Sequence, residues 1–306
     1  MTATHTPTSS AAAPLKGVRV LTLALNLPGP AAVMRLQAMG AKCTKLEPLA
    51  PSGMTTADPM GIYKAAAYEV MHTGLKVLQA DLKTERGQTA LHKQLAHTDV
   101  LITSFRPSAL VKLGLAWKEL HKRYPALCMV SIVGAPGERA EEAGHDLTYQ
   151  ADSGLVNGLE MPASLYADMG GSLFATEAVL QALLLRQRPG RSHGKGVFHE
   201  VALSEASAYL ALPRTWGLTV PSGDVGGAHA GYKVYPCKNG RVAVAALEPH
   251  FAARLCDAAG LDKEAAKQMH KRSTHEGIAT FLASQTRAQL DNLASSKDIP
   301  LHTLPR

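Results

Sequence analysis

Short apolar blocks separated by polar turns fill the first half of the chain. Val18 to Leu25 is a largely apolar run of strand length, closed by Leu27-Pro28-Gly29-Pro30. A helix is predicted next, carrying Ala31, Met34, Leu36 and Met39 and ending at Gly40, with Ala41 to Leu46 as a second strand. Strands joined through a helix in this way pair in parallel. Leu75–Leu82, Asp99–Thr103 and Met129–Val133 predict further strands, and Thr89–Ala96 and Ser108–Gly114 predict helices. Met169 to Arg188 reads as a long apolar helix stopped by Pro189-Gly190. Arg186, Arg188 and Arg191 gather at its end, where the helix dipole favours cations.

The pattern changes beyond a helix predicted from Ser204 to Leu212. Pro, Gly and Ser dominate 213–231, which reads as a linker. Val234–Pro236 and Arg241–Leu247 then predict a hairpin across Lys238-Asn239-Gly240, followed by helices to about Ser296. The expected organisation is a tail at 1–14, a large α/β domain at 15–212, the linker, and a small α+β domain at 232–306. The large domain is Rossmann-like, but no Gly-x-Gly-x-x-Gly follows its first strand, so a dinucleotide is not indicated.

Composition narrows the function classes. Of 306 residues, 46% are hydrophobic and 19% charged, ordinary for a soluble globular protein with a sizeable core. Aromatics at 5% argue against a base-stacking nucleic-acid platform. The net charge of +7 is spread along the chain and suits an anionic small molecule better than DNA. The four cysteines, Cys43, Cys128, Cys237 and Cys256, show no metal-ligand spacing and no disulfide framework, so a reducing cytoplasm is the default. Met1 to Pro14 lacks Lys, Arg and an apolar core, so no signal or transit peptide is visible, and no stretch is long enough to span a bilayer.

The candidate chemistry lies between Gly144 and Gly171. Gly144-His145-Asp146 precedes one helix, and Asp168-Met169-Gly170-Gly171 precedes the next. Two ionisable groups at neighbouring helix starts can act on a substrate carbon as a base and its partner. Read alone, His145 is a hydrogen-bonded helix-start histidine, Asp168 an N-cap, and Arg106 and Glu248 surface charges.

Several motifs in order resemble the family III CoA-transferases (the CaiB/BaiF group), most closely the α-methylacyl-CoA racemase branch. They are Leu15-Lys16-Gly17-Val18 with Pro28-Gly29-Pro30, Gly40-Ala41-Lys42, Lys45-Leu46-Glu47-Pro48, Asp81-Leu82-Lys83 and Asp99-Val100-Leu101. Phe105-Arg106-Pro107, Leu113-Gly114-Leu115, the His145 and Asp168 motifs, and Ala246-Leu247-Glu248-Pro249 continue the order. The resemblance implies interlocked homodimers, with active sites between one subunit's large domain and the other's small domain. It implies His145 and Asp168 as the two acid/base groups of an α-carbon racemisation through an enolate. Glu248 and Asp146 would orient or protonate the imidazole, while Arg106, with Lys76 and Tyr149, would hold CoA. A histidine at 145 favours this branch, because the transferase branch generally has an apolar residue there. No metal or separate cofactor is expected, since CoA arrives as part of the substrate.

Three departures stand out. The chain stops shortly after Asp298-Ile299-Pro300-Leu301, before the family's return segment, and the stretch from Gly154 to Asp168 is short. Pro48 stands where racemases often have an arginine that contacts CoA phosphate. The expectation is a cytoplasmic homodimeric enzyme that inverts the α-carbon of a 2-methylacyl-CoA. The alternatives are a CoA-transferase forming anhydride and thioester intermediates on Asp168, and a truncated, non-catalytic acyl-CoA binder.

Overall fold

The computed structural model describes residues 13–190 and 193–305. Residues 1–12 of the expected tail, and Arg191 of the basic cluster, lie outside the described residues. The chain divides into two compact units, Met1–Ala211 and Leu212–Arg306.

The first unit runs β1 (Arg19–Thr22), α1 (Pro28–Ala38), β2 (Lys42–Glu47), α2 (Pro59–Tyr63), α3 (Ala65–Met71), β3 (Lys76–Gln79), α4 (Glu85–Leu95) and β4 (Val100–Thr103). It continues with α5 (Pro107–Lys112), α6 (Trp117–Arg123), β5 (Cys128–Val133), α7 (Asp146–Asp152), α8 (Tyr166–Gln187), β6 (Phe198–Ala202) and α9 (Leu203–Leu210). Its six strands are all parallel, in the order β3-β2-β1-β4-β5-β6. This doubly wound order reverses direction between β1 and β4, opening a crevice beyond their carboxyl ends. Alternate strand residues feed two cores. Val20, Ile102 and Val130 pack with Val33 and Leu36 of α1 and Val179 of α8 on one face. Leu21, Leu101 and Met129 meet Leu91, Leu95 and Leu120 on the other. With both faces covered, β4 and β5 are buried at every residue, which is why they read as unbroken apolar runs.

α2, α3 and α6 lie outside the elements expected from sequence, and β6 and the start of α8 differ from that expectation for a clear physical reason. β6 was not predicted, because it is an edge strand whose Phe198, His199 and Glu200 are not buried, which hides its periodicity. α8 begins at Tyr166 rather than after Asp168, so Gly170 and Gly171 lie inside the helix. They serve close packing there, not a turn: a Cβ on Gly171 would stand 2.2 Å from Leu203 Cδ2 of α9.

The second unit contains α10 (Leu212–Thr215), β7 (Tyr232–Cys237), β8 (Gly240–Ala245), α11 (Pro249–Ala258), α12 (Arg272–Ala283), α13 (Arg287–Lys297) and β9 (Leu301–Leu304). The predicted hairpin is present, and β9 adds an unpredicted third antiparallel strand beside β8. Val242, Val244, Leu255, Ile278, Leu282 and Leu290 form its core. Among the described residues no helix is long and apolar enough to cross a membrane. All four cysteines are free and buried.

Candidate active site

A cavity of about 730 Å³ opens at the carboxyl ends of β1, β4 and β5, where the strand order reverses. Leu25 and Asn26 after β1, Ser104 to Arg106 after β4, and Gly134 after β5 line it. His145, Asp146 and Tyr149 from the start of α7, and Asp168 from the first turn of α8, complete the polar lining. A larger cavity of about 880 Å³ in the second unit is lined by Val225, Val234, Val244 and Leu301, with Lys233 and His302 but no carboxylate. Acid/base chemistry therefore points to the first.

His145 is the N-cap residue of α7 and is exposed to the cavity. Its backbone is fixed locally: its N–H donates to the Thr148 hydroxyl at 3.1 Å, and that hydroxyl donates to the His145 carbonyl at 2.7 Å. Asp146 follows it and is buried, 5% exposed. One Asp146 oxygen accepts the Asp168 N–H at 3.0 Å, and the other accepts from the Gln150 amide, which also donates to the Ser164 carbonyl. Asp146 thus joins α7 to α8. The role implied for it is to orient the imidazole; among the described residues no hydrogen bond joins its carboxylate to the His145 ring, and its oxygens accept from Asp168 and Gln150.

Burial, followed by the charge of Asp146, pushes the Asp168 carboxyl up to about 7. A carboxyl titrating there can hold or release a proton at neutral pH. Tyr149 closes the neighbouring wall. A Cβ on Gly144 would lie 2.4 Å from its hydroxyl, and one on Gly134 would lie 2.1 Å away. The glycine of the Gly-His-Asp triplet is needed for this close approach, since Gly144 has no positive φ. Burial and then the charge of Asp168 raise the Tyr149 pKa.

Arg106 is the N-cap residue of α5 and lines the cavity, exposed and without a hydrogen bond from its guanidinium among the described residues. Of the seven residues singled out from sequence, the cavity gathers five: His145, Asp146, Asp168, Arg106 and Tyr149. It does not gather Lys76, which begins β3 in register with Thr44, well below the strand ends. Glu248 belongs to the second unit, exposed as the N-cap residue of α11. Sequence reasoning missed Asn26 and Tyr63, both in the lining. The Asp58-Pro59 step was the available signal, an N-cap aspartate before a proline at the first helical position. Among the described residues no three His, Cys, Asp or Glu side chains gather as a metal-ligand set.

The family model for CoA-transferase family III matches residues 15–305. The chain belongs to this family. It is 32% identical over 268 residues to the α-methylacyl-CoA racemase of Mus musculus, covering 82% of this chain and 66% of that protein. It is 27% identical to the succinyl-CoA–D-citramalate CoA-transferase of Chloroflexus aurantiacus, over 94% of this chain and 77% of the relative. A crystal structure of a hypothetical protein from Mycobacterium tuberculosis superposes with a TM-score of 0.79 at 22% identity, covering 95% and 85% of the two chains. A CaiB/BaiF family protein from Brucella suis gives 0.71, also at 22%, over 96% and 84%. These solved structures establish the fold, and the relatives include both racemase and transferases.

Proposed function

We propose that the cavity binds the thioester of an acyl-CoA, and that His145 and Asp168 remove and return the α-proton of a 2-methylacyl group. The observation that carries this reading is that both side chains, from the starts of different helices, line one cavity. Inversion needs a base for one face of the carbon and an acid for the other. Loss of the α-proton leaves a planar enolate with its charge on the thioester oxygen, and protonation from the second group gives the other epimer. An Asp168 carboxyl near 7 suits either direction of transfer. Arg106 is the CoA phosphate contact in this reading, with Tyr149 beside it. The proposal extends to a cytoplasmic homodimer in which Glu248 serves the imidazole.

Incubating one epimer of a 2-methylacyl-CoA with the protein in D₂O tests it. The expected result is deuterium at the α-carbon together with epimerisation. Transfer of CoA to an added carboxylate, without exchange, would replace this reading by the second one. The transferase relatives motivate that alternative, in which the Asp168 carboxylate attacks the thioester carbonyl and expels the CoA thiolate to form an anhydride. Only the ionised carboxylate can attack, so this activity would rise as pH passes through about 7.

A further inference from the structure

Behind the cavity wall lies a buried polar cluster that the proposed proton transfer does not use. Lys45 of β2 is fully buried at 0% exposure. Its ammonium contacts Asp58 Oδ2 at 2.5 Å, Glu47 Oε2 at 3.3 Å and His72 Nε2 at 2.9 Å. His72 Nδ1 lies 2.6 Å from the Tyr68 carbonyl, which can only accept, so Nδ1 carries the proton and Nε2 accepts from Lys45. Burial lowers the His72 pKa, which agrees with a neutral ring. Glu47 also accepts from the Thr56 hydroxyl at 2.7 Å and the Gln79 amide at 3.2 Å.

Asp58 is where this cluster reaches the cavity. Its Oδ1 accepts the Met60 N–H at 2.9 Å, capping α2, and the Asn26 N–H at 3.0 Å. Asn26 has φ of 66°, in the left-handed region that asparagine visits more readily than other non-glycine residues. The Tyr63 hydroxyl then donates to Asn26 Oδ1 at 2.9 Å. Asn26, Pro59 and Tyr63 all line the cavity. The charge of Asp168 acts on Tyr63, raising its pKa after burial and Asp58.

We propose that Asp58, fixed by the Lys45 ammonium, is a positioning residue of the cavity: it holds the left-handed turn at Asn26 and, through it, Tyr63 on the wall that receives CoA. This inference rests on the reading of the cavity as the acyl-CoA site. A wall built this way has a fixed place before ligand arrives, which reduces the ordering cost of binding.

The test is the affinity of the full chain for CoA, measured by calorimetry on wild type, Asp58→Asn, Asn26→Gly and the double variant. Asn26→Gly deletes the Oδ1 acceptor that holds Tyr63, so it should weaken CoA binding by itself and leave Asp58 no side chain to position. Asp58→Asn is expected to weaken CoA binding about 10-fold alone, but less than about 3-fold in the Asn26→Gly background, a coupling that general loosening of the fold would not produce. Equal losses in both backgrounds, or no loss in either, overturn the positioning role. If Asp58→Asn does not fold, Tyr63→Phe carries the test: weaker CoA binding supports the wall, and unchanged binding overturns it. Wild-type protein that binds no CoA removes the site reading and this inference together, a result distinct from equal losses.

Discussion

The carboxylates around Lys45 and the carboxyl groups at the heads of α7 and α8 are both drawn out of water, and the fold treats them in opposite ways. Glu47 and Asp58 flank one buried ammonium, and hydroxyl, amide or backbone donors occupy their other oxygens. Asp146 and Asp168 have no ion pair among the described residues. Asp146 is held by two donors, while burial, and after it the charge of Asp146, pushes the Asp168 carboxyl up to about 7. Paired charge makes a rigid wall. Unpaired charge beside a cavity makes a group that exchanges protons near neutrality.

Breaking the paired cluster should have the largest effect. Lys45→Met leaves Glu47 and Asp58 buried without their cation, a change expected to cost about 3–5 kcal/mol of stability. Urea unfolding would read this as a lower midpoint. Adding Glu47→Gln and Asp58→Asn to Lys45→Met removes the stranded charges and should recover most of the loss. No recovery would mean that packing of the lysine stem, rather than charge pairing, holds this part of the unit together.

Removing the unpaired carboxyl should do the reverse: little harm to the fold and a large loss of turnover. Asp168→Asn is expected to lower racemisation about 10²- to 10⁴-fold while His145 still supports one-sided α-deuterium exchange. The sign of the stability effect follows from linkage. A carboxyl that titrates near 7 when folded, and near about 4 when unfolded, binds its proton more tightly in the folded state. The Asp168 contribution to stability therefore falls as pH rises from about 4 to about 7, and Asp168→Asn should lack that part of the pH dependence. Thermal melts across this window check it. A parallel pH dependence in both proteins would show that another group carries the titration.

A smaller effect separates the two causes acting on Asp168. Asp146→Asn removes the neighbouring charge but leaves the burial. The Asp168 carboxyl, followed by ¹³C NMR, should titrate lower than in wild type, still above the ordinary aspartate range. A midpoint that does not move would assign the whole shift to burial and make Asp146 simply the tie between α7 and α8.

These two clusters were not equally legible in the sequence. His145 and Asp168 stood out because glycines mark both places, although Gly144 serves Tyr149 and Gly171 serves Leu203 rather than the turns they suggested. The parallel sheet was legible because β4 and β5 are buried on both faces. The Lys45 cluster was hidden for a physical reason. Lys45 and Glu47 alternate with apolar neighbours along β2 as an exposed face would, and their partners Asp58 and His72 come from separate elements. Polarity in a sequence signals exposure, and only tertiary pairing reverses that inference. Lys76 is the opposite case: its place in the family's order points to CoA, but the order carries no information on its height in the sheet, and it does not line the cavity.

That height gives the smallest effect and the sharpest limit on the comparison. Lys76 pairs in register with Thr44, and Thr44 with Leu21, four residues short of Leu25 at the cavity. At roughly 3.3 Å per residue this places Lys76 about 13 Å below the cavity level along the strands, and on the edge strand of the sheet. It is exposed and belongs to neither cluster. Lys76→Ala should therefore change stability by less than about 0.5 kcal/mol and leave CoA affinity unaltered, whereas Arg106→Ala should weaken it. Calorimetry on the two variants side by side reads the contrast directly. A loss of CoA affinity in Lys76→Ala matching that of Arg106→Ala would draw the phosphates down the β3 edge. The ligand would then depend on charges outside both clusters, and the division between a rigid paired wall and a proton-exchanging carboxyl would no longer describe the whole binding site.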